Sequence, residues 1–168
     1  VIVSTVAEGG SSMVFSLFPE TPGGWSCVGR LDKDAEGALL FCSDSRWAQR
    51  LMDPGGIAKS YVVTVRGLPD EADLEPMRRG GLVVDGTPLA PVAVRRLGKA
   101  PRGGTRLEVV LHEGRNRQIR RLFAAAGFRV RRLIRVAIGP LALGELPVGE
   151  GRELDGDEVA RLIGEVTR

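Results

Sequence analysis

The chain has 168 residues, 43% of them hydrophobic and only 5% aromatic, a composition that predicts a globular protein with an aliphatic core. No uncharged stretch is long enough to cross a bilayer and no secretory signal opens the chain, so we expect a cytoplasmic protein without membrane association. One histidine and two cysteines, Cys27 and Cys42, argue against a structural zinc site, and the cysteines are expected to be free thiols or one disulfide.

Charge is distributed unevenly along the chain. The net charge is only +3, but residues 114–144 contain eight arginines and no acid, whereas residues 145–168 contain seven acids and three arginines. A basic run is often no more than a solvated surface. Arginines without a balancing acid repel one another, however, unless a partner neutralises them, and guanidinium groups suit phosphate. The pattern therefore favours a polyanionic partner, most simply a nucleic acid.

Hydrophobic patterns predict the elements of the first part of the chain. Residues 1–6 and 38–42 have the composition of strands, and the second is apolar enough to be buried. Residues 43–53 predict a short helix, because Ser43 or Asp44 can cap its start.

The middle of the chain predicts strands, one capped helix and a tight turn. Residues 59–67 alternate between two faces in the manner of a strand. Residues 69–81 predict a helix in which Pro76 must lie in the first turn or break the helix. The Asp-Gly pair at 85–86 predicts a turn between two short strands.

The last part of the chain predicts a hairpin followed by two helices. The elements are a hairpin loop over 98–105, a strand over 105–111, a helix over 116–127, a strand over 129–141 and a helix over 154–166. The first helix has an apolar stripe that includes Ile119, Leu122 and Phe123, and Asp155 with Glu158 can cap the second. Many strands and few short helices, mostly joined by hairpins, predict an α+β fold on a largely antiparallel sheet.

The bend GRLDKDAEG, residues 29–37, holds three carboxylates among cations. Asp32, Asp34 and Glu36 each have an ordinary structural explanation, capping a turn or pairing with Arg30, and nothing local separates them. A catalytic role requires a carboxylate kept ionised in a poorly solvated cleft. A guanidinium beside it would lower an Asp pKa by about 1–3 units, so the partner to expect is an arginine from the distant basic helix.

The stretch EGRNRQIRR, residues 113–121, combines a helix start with four arginines. Backbone N–H groups at a helix N-terminus attract anions, and Arg120 and Arg121 have no acid three or four residues away. We interpret this stretch as a phosphate-binding surface rather than a plain solvated helix. The single tyrosine, Tyr61, is explained as well by core packing. No Walker-type phosphate loop and no dinucleotide fingerprint occurs.

Four segments in this order resemble the catalytic domain of the ribosomal pseudouridine synthases of the RsuA/RluB type. They are GRLDKDAEG, KSY, EGRNRQIRRLFAAAG and RLIRVAIGPLALGELPVGEGREL. The resemblance extends over nearly the whole chain. It implies the pseudouridine synthase fold, a mixed but largely antiparallel sheet with flanking short helices and a central catalytic cleft, in one domain over residues 1–168. The small N-terminal RNA-binding domain common in this family is expected to be absent.

The resemblance also implies an enzyme that isomerises specific uridines of ribosomal RNA to pseudouridine, without cofactor or metal. It identifies Asp32 as the catalytic aspartate and Arg120 as the arginine that pairs with it. Tyr61 corresponds to the tyrosine that stacks on the uracil, and Leu133 to an apolar residue of the base pocket. Arg30 corresponds to the residue that fills the space left by the flipped nucleotide, and flipping is expected because the reacting atoms lie inside a base stack.

Further residues of the same segments are expected to contact RNA: Lys33, Lys59, Arg115, Asn116, Arg117 and Arg121. The expected partner is ribosomal RNA or a pre-ribosomal particle, bound by a monomer. Ala35 and Ala38 depart from the usual family pattern, but neither occupies one of the three positions expected to be catalytic.

Two other classes of function are compatible with the same residues. A non-catalytic RNA-binding module would keep the basic helix and lose turnover. An enzyme acting on a small anionic metabolite would need its arginines to converge on one closed pocket, whereas here they are spread over a helix and the following strand.

Overall fold

The computed structural model describes residues 2–5, 25–53, 56–84 and 86–166, which form eleven strands and four helices. The strands are β1 (Ile2–Thr5), β2 (Ser26–Val28), β3 (Glu36–Cys42), β4 (Lys59–Val65), β5 (Val83–Val84), β6 (Thr87–Pro88), β7 (Ala93–Lys99), β8 (Thr105–Leu111), β9 (Val130–Ile138), β10 (Leu141–Ala142) and β11 (Gly151–Arg152). The helices are α1 (Ser45–Met52), α2 (Glu71–Arg79), α3 (Gln118–Ala125) and α4 (Gly156–Val166). The predicted α+β class is confirmed.

Nine of the described strands form one mixed sheet. Its main path runs β11-β1-β3-β9-β4-β8-β7, with β2 added to β3 and β10 added to β9. Every pairing in this sheet is antiparallel except that of β3 with β9, so the prediction of a largely antiparallel sheet is confirmed. The single parallel pair joins the two halves of the sheet, and the candidate site is built beside it.

The core lies in two main clusters on the elements flanking this parallel pair. One cluster packs β4, β7, β8 and β9 against α2 and α3, and Val63, Leu107 and Phe123 are completely buried in it. The other packs β3 against α1 and α4, with Ala38 and Leu40 at its centre. The alternation of β4 and β8 agrees with this burial, because Val63 and Leu107 each lie on the side of their strand that faces the core.

The helices begin where the sequence predicted, with one difference inside α2. Asp44 caps α1, since its carboxylate accepts a hydrogen bond from the Arg46 backbone N–H at 2.8 Å. The expectation that Pro76 lies in the first turn of α2 or breaks it is wrong, because Pro76 occupies the second turn and the helix continues to Arg79. Pro76 removes only one backbone hydrogen bond from the helix, because it lacks an N–H. The buried Leu74 anchors the helix against the core.

Three smaller expectations concern the turn at 85–86, membrane insertion and the cysteines. β5 and β6 flank the predicted turn as an antiparallel pair, although Asp85 itself lies outside the described residues. No helix within the described ranges is long and apolar enough to cross a membrane. Cys27 and Cys42 are free thiols.

The start of α4 is fixed by the capping pair predicted from the sequence. The Asp155 carboxylate accepts a hydrogen bond from the Glu158 backbone N–H at 2.8 Å, and the Glu158 carboxylate accepts one from the Asp155 N–H at 3.1 Å. The Arg152 guanidinium donates two more hydrogen bonds to Glu158, at 2.7 and 2.6 Å. Glu158 therefore has a charged partner as well as a helix start to stabilise its ionised form.

We expect Glu158 to titrate far below an ordinary glutamate. The Arg152 hydrogen bonds, followed by that of the Asp155 backbone, lower the pKa of Glu158 from 4.5 to about 2. Because the pKa is lower in the folded state, this carboxylate contributes stability above pH 4.5 and loses that contribution as the pH falls toward 2. An NMR titration of the carboxyl carbon measures the midpoint. Arg152→Gln should move it upward, and a wild-type midpoint near 4.5 would contradict the contact.

Candidate active site

A cleft of about 840 Å³ opens beside the parallel β3–β9 pair. It is lined by the bend between β2 and β3, the first residues of β4, the end of β8 with the loop into α3, and the middle of β9. The residues of the sequence-predicted site that line it are Arg30, Asp32, Lys59, Tyr61, Arg115, Asn116, Arg117 and Leu133. Three others, Lys33, Arg120 and Arg121, do not line it.

Strand register brings Tyr61 and Leu133 to one face of the sheet. In the β4–β9 pair, Val63 lies opposite Leu133 and Tyr61 lies opposite Arg135. Because residues two apart on a strand point to the same side, all four side chains lie on one face of the sheet. Leu133 is buried, whereas Tyr61 is half-buried at the edge of the core cluster. A flat aromatic ring and an apolar side chain thus flank the same part of the cleft.

Asp32 reaches the cleft from a tight turn at the entrance to β3. The Ala35 backbone N–H donates to the Asp32 carbonyl oxygen at 2.8 Å, which closes the turn, and β3 begins one residue later at Glu36. Asp32 is half-buried and lines the cleft. Within the part of the chain that the structure describes, its carboxylate forms no ion pair. A carboxylate without a fixed partner is available to a ligand.

The arginines from α3 bind Asp34, two residues beyond Asp32. Arg117 donates from both terminal nitrogens to the Asp34 carboxylate, at 3.0 and 3.2 Å. The Nη2 of Arg120 lies 3.2 Å from the same carboxylate and donates to the Asp34 carbonyl oxygen at 2.7 Å. The predicted pairing of Arg120 with Asp32 is therefore wrong. The turn directs Asp34 outward to the start of α3 and leaves Asp32 facing the cleft.

The ion pairs of Asp34 with Arg117 and Arg120 fix the position of the turn but contribute little to the free energy of folding. Partial desolvation raises the pKa of Asp34, but the Arg117 hydrogen bonds and the charge of Arg120 outweigh it and keep that pKa below its usual value. The Asp34 side chain is 48% exposed, so its ion pairs contribute at most about 1 kcal/mol. Arg120 is only 14% exposed and ties the backbone of the turn directly to α3. Through this contact α3 fixes the segment that carries Asp32.

Arg117 adopts a left-handed backbone conformation at the start of α3. Its φ is +49°, the only positive φ of a non-glycine residue among those the structure describes. Such a conformation costs of order 1–3 kcal/mol and persists where surrounding contacts fix it. The contacts of Arg117 include the Arg121 backbone N–H, which donates to the Arg117 carbonyl at 3.0 Å, and the two side-chain hydrogen bonds to Asp34. The strained residue therefore lies at the cleft, between the turn and the basic helix.

Arg135 is a member of the site that the sequence reasoning missed. It lines the cleft but is only 3% exposed, and its Nε donates to the Ala38 carbonyl at 2.7 Å. Its Nη1 donates to the Arg30 carbonyl at 3.3 Å, two residues before Asp32, and its buried Nη2 has no hydrogen-bond partner. The available signal was strand alternation, which places Arg135 on the same face as Leu133.

Lys59 adds a second partly buried cation to the cleft. Burial lowers the pKa of Lys59, and the nearby charge of Arg135 lowers it further. The Lys59 ammonium donates to the Ile57 carbonyl at 3.0 Å. Positive charge thus surrounds a half-buried carboxylate, Asp32, which suits an anionic ligand that must also meet a base or nucleophile.

Two residues of the predicted RNA surface lie outside the cleft. Lys33 is exposed on the same bend as Asp32, and Arg121 donates to the Val84 carbonyl at 3.5 Å.

Across the described residues, no group of three or more His, Cys, Asp or Glu side chains is arranged to hold a metal ion. The chemistry this arrangement offers is that of a carboxylate and a phenol in a basic cleft.

Comparison with known proteins identifies similar chains. Residues 15–125 match the family model described as RNA pseudouridylate synthase. An uncharacterized RNA pseudouridine synthase of Aquifex aeolicus is 37% identical over 92% of this chain and 61% of its own length. The ribosomal large subunit pseudouridine synthase B of Bacillus subtilis is 37% identical over 96% of this chain and 67% of its own length. Synthase E of Xanthomonas campestris is 42% identical over 79% of this chain and 78% of its own length.

Solved structures show the same architecture. A chain described as a pseudouridylate synthase matches 96% of this chain and 72% of its own length, with a TM-score of 0.86 and 27% identity. A chain of a Cbf5-Nop10-Gar1 complex matches 86% of this chain with a TM-score of 0.59 and 17% identity, which is a likeness of fold alone. The chain spans 61% of the Aquifex aeolicus relative, less than two thirds of its length.

Proposed function

Because the chain belongs to the RNA pseudouridylate synthase family, we propose that it isomerises specific uridines of ribosomal RNA to pseudouridine. The observation that carries the proposal is the half-buried Asp32 carboxylate, which lines one cleft with Tyr61 and Leu133. Relatives named as synthases of the large ribosomal subunit support the choice of ribosomal RNA. Residues 1–168 would form the catalytic domain.

Asp32 is the catalytic residue of the proposed reaction. The bond between uracil and ribose breaks, the base turns, its C5 bonds to the same ribose carbon, and the proton of C5 is lost while N1 gains one. A carboxylate acts here as nucleophile or base, and both roles need it ionised beside the nucleotide. Arg120 binds Asp34 rather than Asp32, so the catalytic carboxylate forms no ion pair with a guanidinium of the described residues and is open to the substrate. Arg120 is thus a positioning residue, which acts through the turn.

The uracil binds between Tyr61 and Leu133 after flipping out of the RNA. Extrusion of a base costs a few kcal/mol, and least where the base is loosely paired. Stacking on an aromatic side chain returns about 1–3 kcal/mol. Tyr61 and Leu133 lie on one face of adjacent strands, which supports this arrangement. Arg30, exposed at the cleft, is positioned to occupy the space that the base vacates.

The remaining basic and polar residues of the site bind the RNA backbone. Arg115, Asn116 and Arg117 line the cleft just before α3, and Lys59 lines the same cleft. Lys33 and Arg121 extend the basic surface beyond the cleft. Arginine forks suit bidentate contacts with phosphate oxygens, and the resulting affinity falls steeply with salt. We propose that the protein acts in the cytoplasm as a monomer on ribosomal RNA or a pre-ribosomal particle, without a cofactor.

Release of tritium from uridine tests this function directly. Ribosomal RNA transcribed with tritium at uracil C5 is incubated with the chain, and tritium appearing in water is counted, since pseudouridine formation displaces the C5 hydrogen. We expect release to level off at a small whole number of sites per RNA. Tight RNA binding with no release from either subunit's RNA would contradict the proposal and favour a non-catalytic RNA-binding module.

A further inference from the structure

A second group of cations lies outside the cleft, at the opposite end of β4. Its members are exposed and none lines the cleft: Arg66, Lys99, Arg102, Arg106, Arg129 and Arg131. We call this group the hairpin-end surface, because it surrounds the turn that joins β7 to β8. None of its members belongs to the site described above.

The fold gathers these cations from three separate segments of the chain. The last residue of β4, Val65, pairs with Thr105 of β8 and Val130 of β9, so the residues next to these positions share one end of the sheet. The Arg66 backbone N–H donates to the Arg129 carbonyl at 2.9 Å. The hairpin is fixed to the same end by a guanidinium. The Nη1 of Arg131 donates to the carbonyls of residues 102 and 103, at 3.1 and 3.3 Å.

Acids among the described residues do not neutralise the charge of the hairpin-end surface. None of its six cations forms an ion pair with another described residue. Two acids on strands of the same sheet are already engaged, Glu108 with Arg95 at 2.7 Å and Glu36 with Arg132 at 2.8 Å. Asp70, which follows Arg66 in the chain, is used in the capping box of α2. Like charges left together in this way favour binding of an external polyanion.

This surface is too far from the cleft to serve a group bound there. Lys59 and Val65 are the two ends of β4, six residue steps apart, which at about 3.3 Å per step puts them about 20 Å apart. That distance is more than twice the Debye length of about 8 Å at physiological salt. A phosphate held in the cleft therefore does not neutralise the charge of the hairpin-end surface.

We propose that the hairpin-end surface binds backbone phosphates of the same RNA whose uridine enters the cleft. The inference rests on the proposed function, and it names a second contact on the catalytic domain. Five of the six cations are arginines, whose planar forks suit phosphate. They spread around a strand end instead of converging on a pocket, which fits the backbone of a polynucleotide better than a small anion.

A pair of charge-matched double variants tests the inference. Arg102→Gln with Arg106→Gln removes two charges from the hairpin-end surface, and Arg79→Gln with Arg161→Gln removes two from exposed positions on α2 and α4. Binding is measured over a salt series with a long ribosomal RNA fragment and with an oligonucleotide too short to span about 20 Å. For the first pair we expect about tenfold weaker binding of the long RNA and a salt slope lower by roughly 1.4. The short RNA should bind within about twofold of wild type, as should both RNAs to the control pair.

Equal losses in the two variant pairs, or equal losses on short and long RNA, would overturn the inference. The readout is affinity rather than turnover, so the outcome is separate from that of the proposed reaction. If the chain releases no tritium while the length-dependent loss is seen, the proposed reaction fails and the second RNA contact stands. If tritium is released normally and no length dependence is found, the second contact fails alone.

Discussion

Replacing Asp32 with asparagine should reduce tritium release from ribosomal RNA by about 10³-fold or more. An amide is neither a base nor a nucleophile of useful strength, and a positioned carboxylate in such a role contributes about 10²–10⁴-fold. RNA affinity should change little, because Asp32 forms no ion pair with the described cations and the basic residues around it remain. The expected signature is therefore a loss of kcat with a nearly unchanged KM and an unchanged melting temperature.

Asp34→Asn is the matched control for that experiment. The substitution is the same and lies two residues away on the same turn, but Asp34 is the residue that binds Arg117 and Arg120. The Asp34 side chain is about half exposed, so we expect a stability loss of no more than about 1 kcal/mol. Turnover should fall less than about tenfold, since the Arg120 bond to the Asp34 backbone carbonyl survives the change.

The two variants together decide which aspartate acts. If Asp34→Asn abolished release while Asp32→Asn kept the wild-type rate, the assignment of Asp32 would be wrong and the arginine-bound carboxylate would be the reactive one. If both retained full activity, neither carboxylate would be catalytic. Measuring kcat and KM for each variant separates these cases from a general weakening of RNA binding.

Local patterns were sufficient to predict the elements that carry the site. Alternation placed Val63 and Val65 on one side of β4, and both are completely buried. The stripe of Ile119, Leu122 and Phe123 identified the buried face of α3 in the same way. These predictions succeed because helix and strand periodicities depend only on residues a few positions apart.

The contacts between distant segments were not predictable by the same route. Alternation says which face a residue occupies, but nothing in it says that β3 lies parallel to β9 or that α3 reaches the turn at Asp34 rather than at Asp32. The distinction depends on a turn of four residues, whose direction follows from the Ala35 to Asp32 backbone bond. The role of Arg135 was hidden for a related reason, because its partners are backbone carbonyls of residues about a hundred positions away.

The last glycine of GRLDKDAEG marks the place where these distant segments meet. Gly37 lies opposite Arg135 in the parallel β3–β9 pair, which has only two registered positions, and its φ is +108°. A Cβ at this position would lie 2.2 Å from the Arg135 carbonyl oxygen and 2.8 Å from its backbone nitrogen. Neither atom can move without parting the two strands. The glycine therefore permits the close approach that also lets Arg135 reach the Ala38 carbonyl.

Gly37→Ala should destabilise the fold by more than about 4 kcal/mol, a large share of the roughly 5–15 kcal/mol of a typical domain. Gly29→Ala is the control in the same motif: its φ is also positive, at +77°, but no atom lies within 4 Å of the added Cβ. The control should lose only about 1–2 kcal/mol, the cost of a left-handed conformation. Urea unfolding of both variants measures the difference, with soluble yield as the readout if Gly37→Ala does not fold. Losses equal within about 1 kcal/mol would mean that β3 and β9 do not approach as described, and the position of Asp32 in the same cleft as Tyr61 would lose its structural basis.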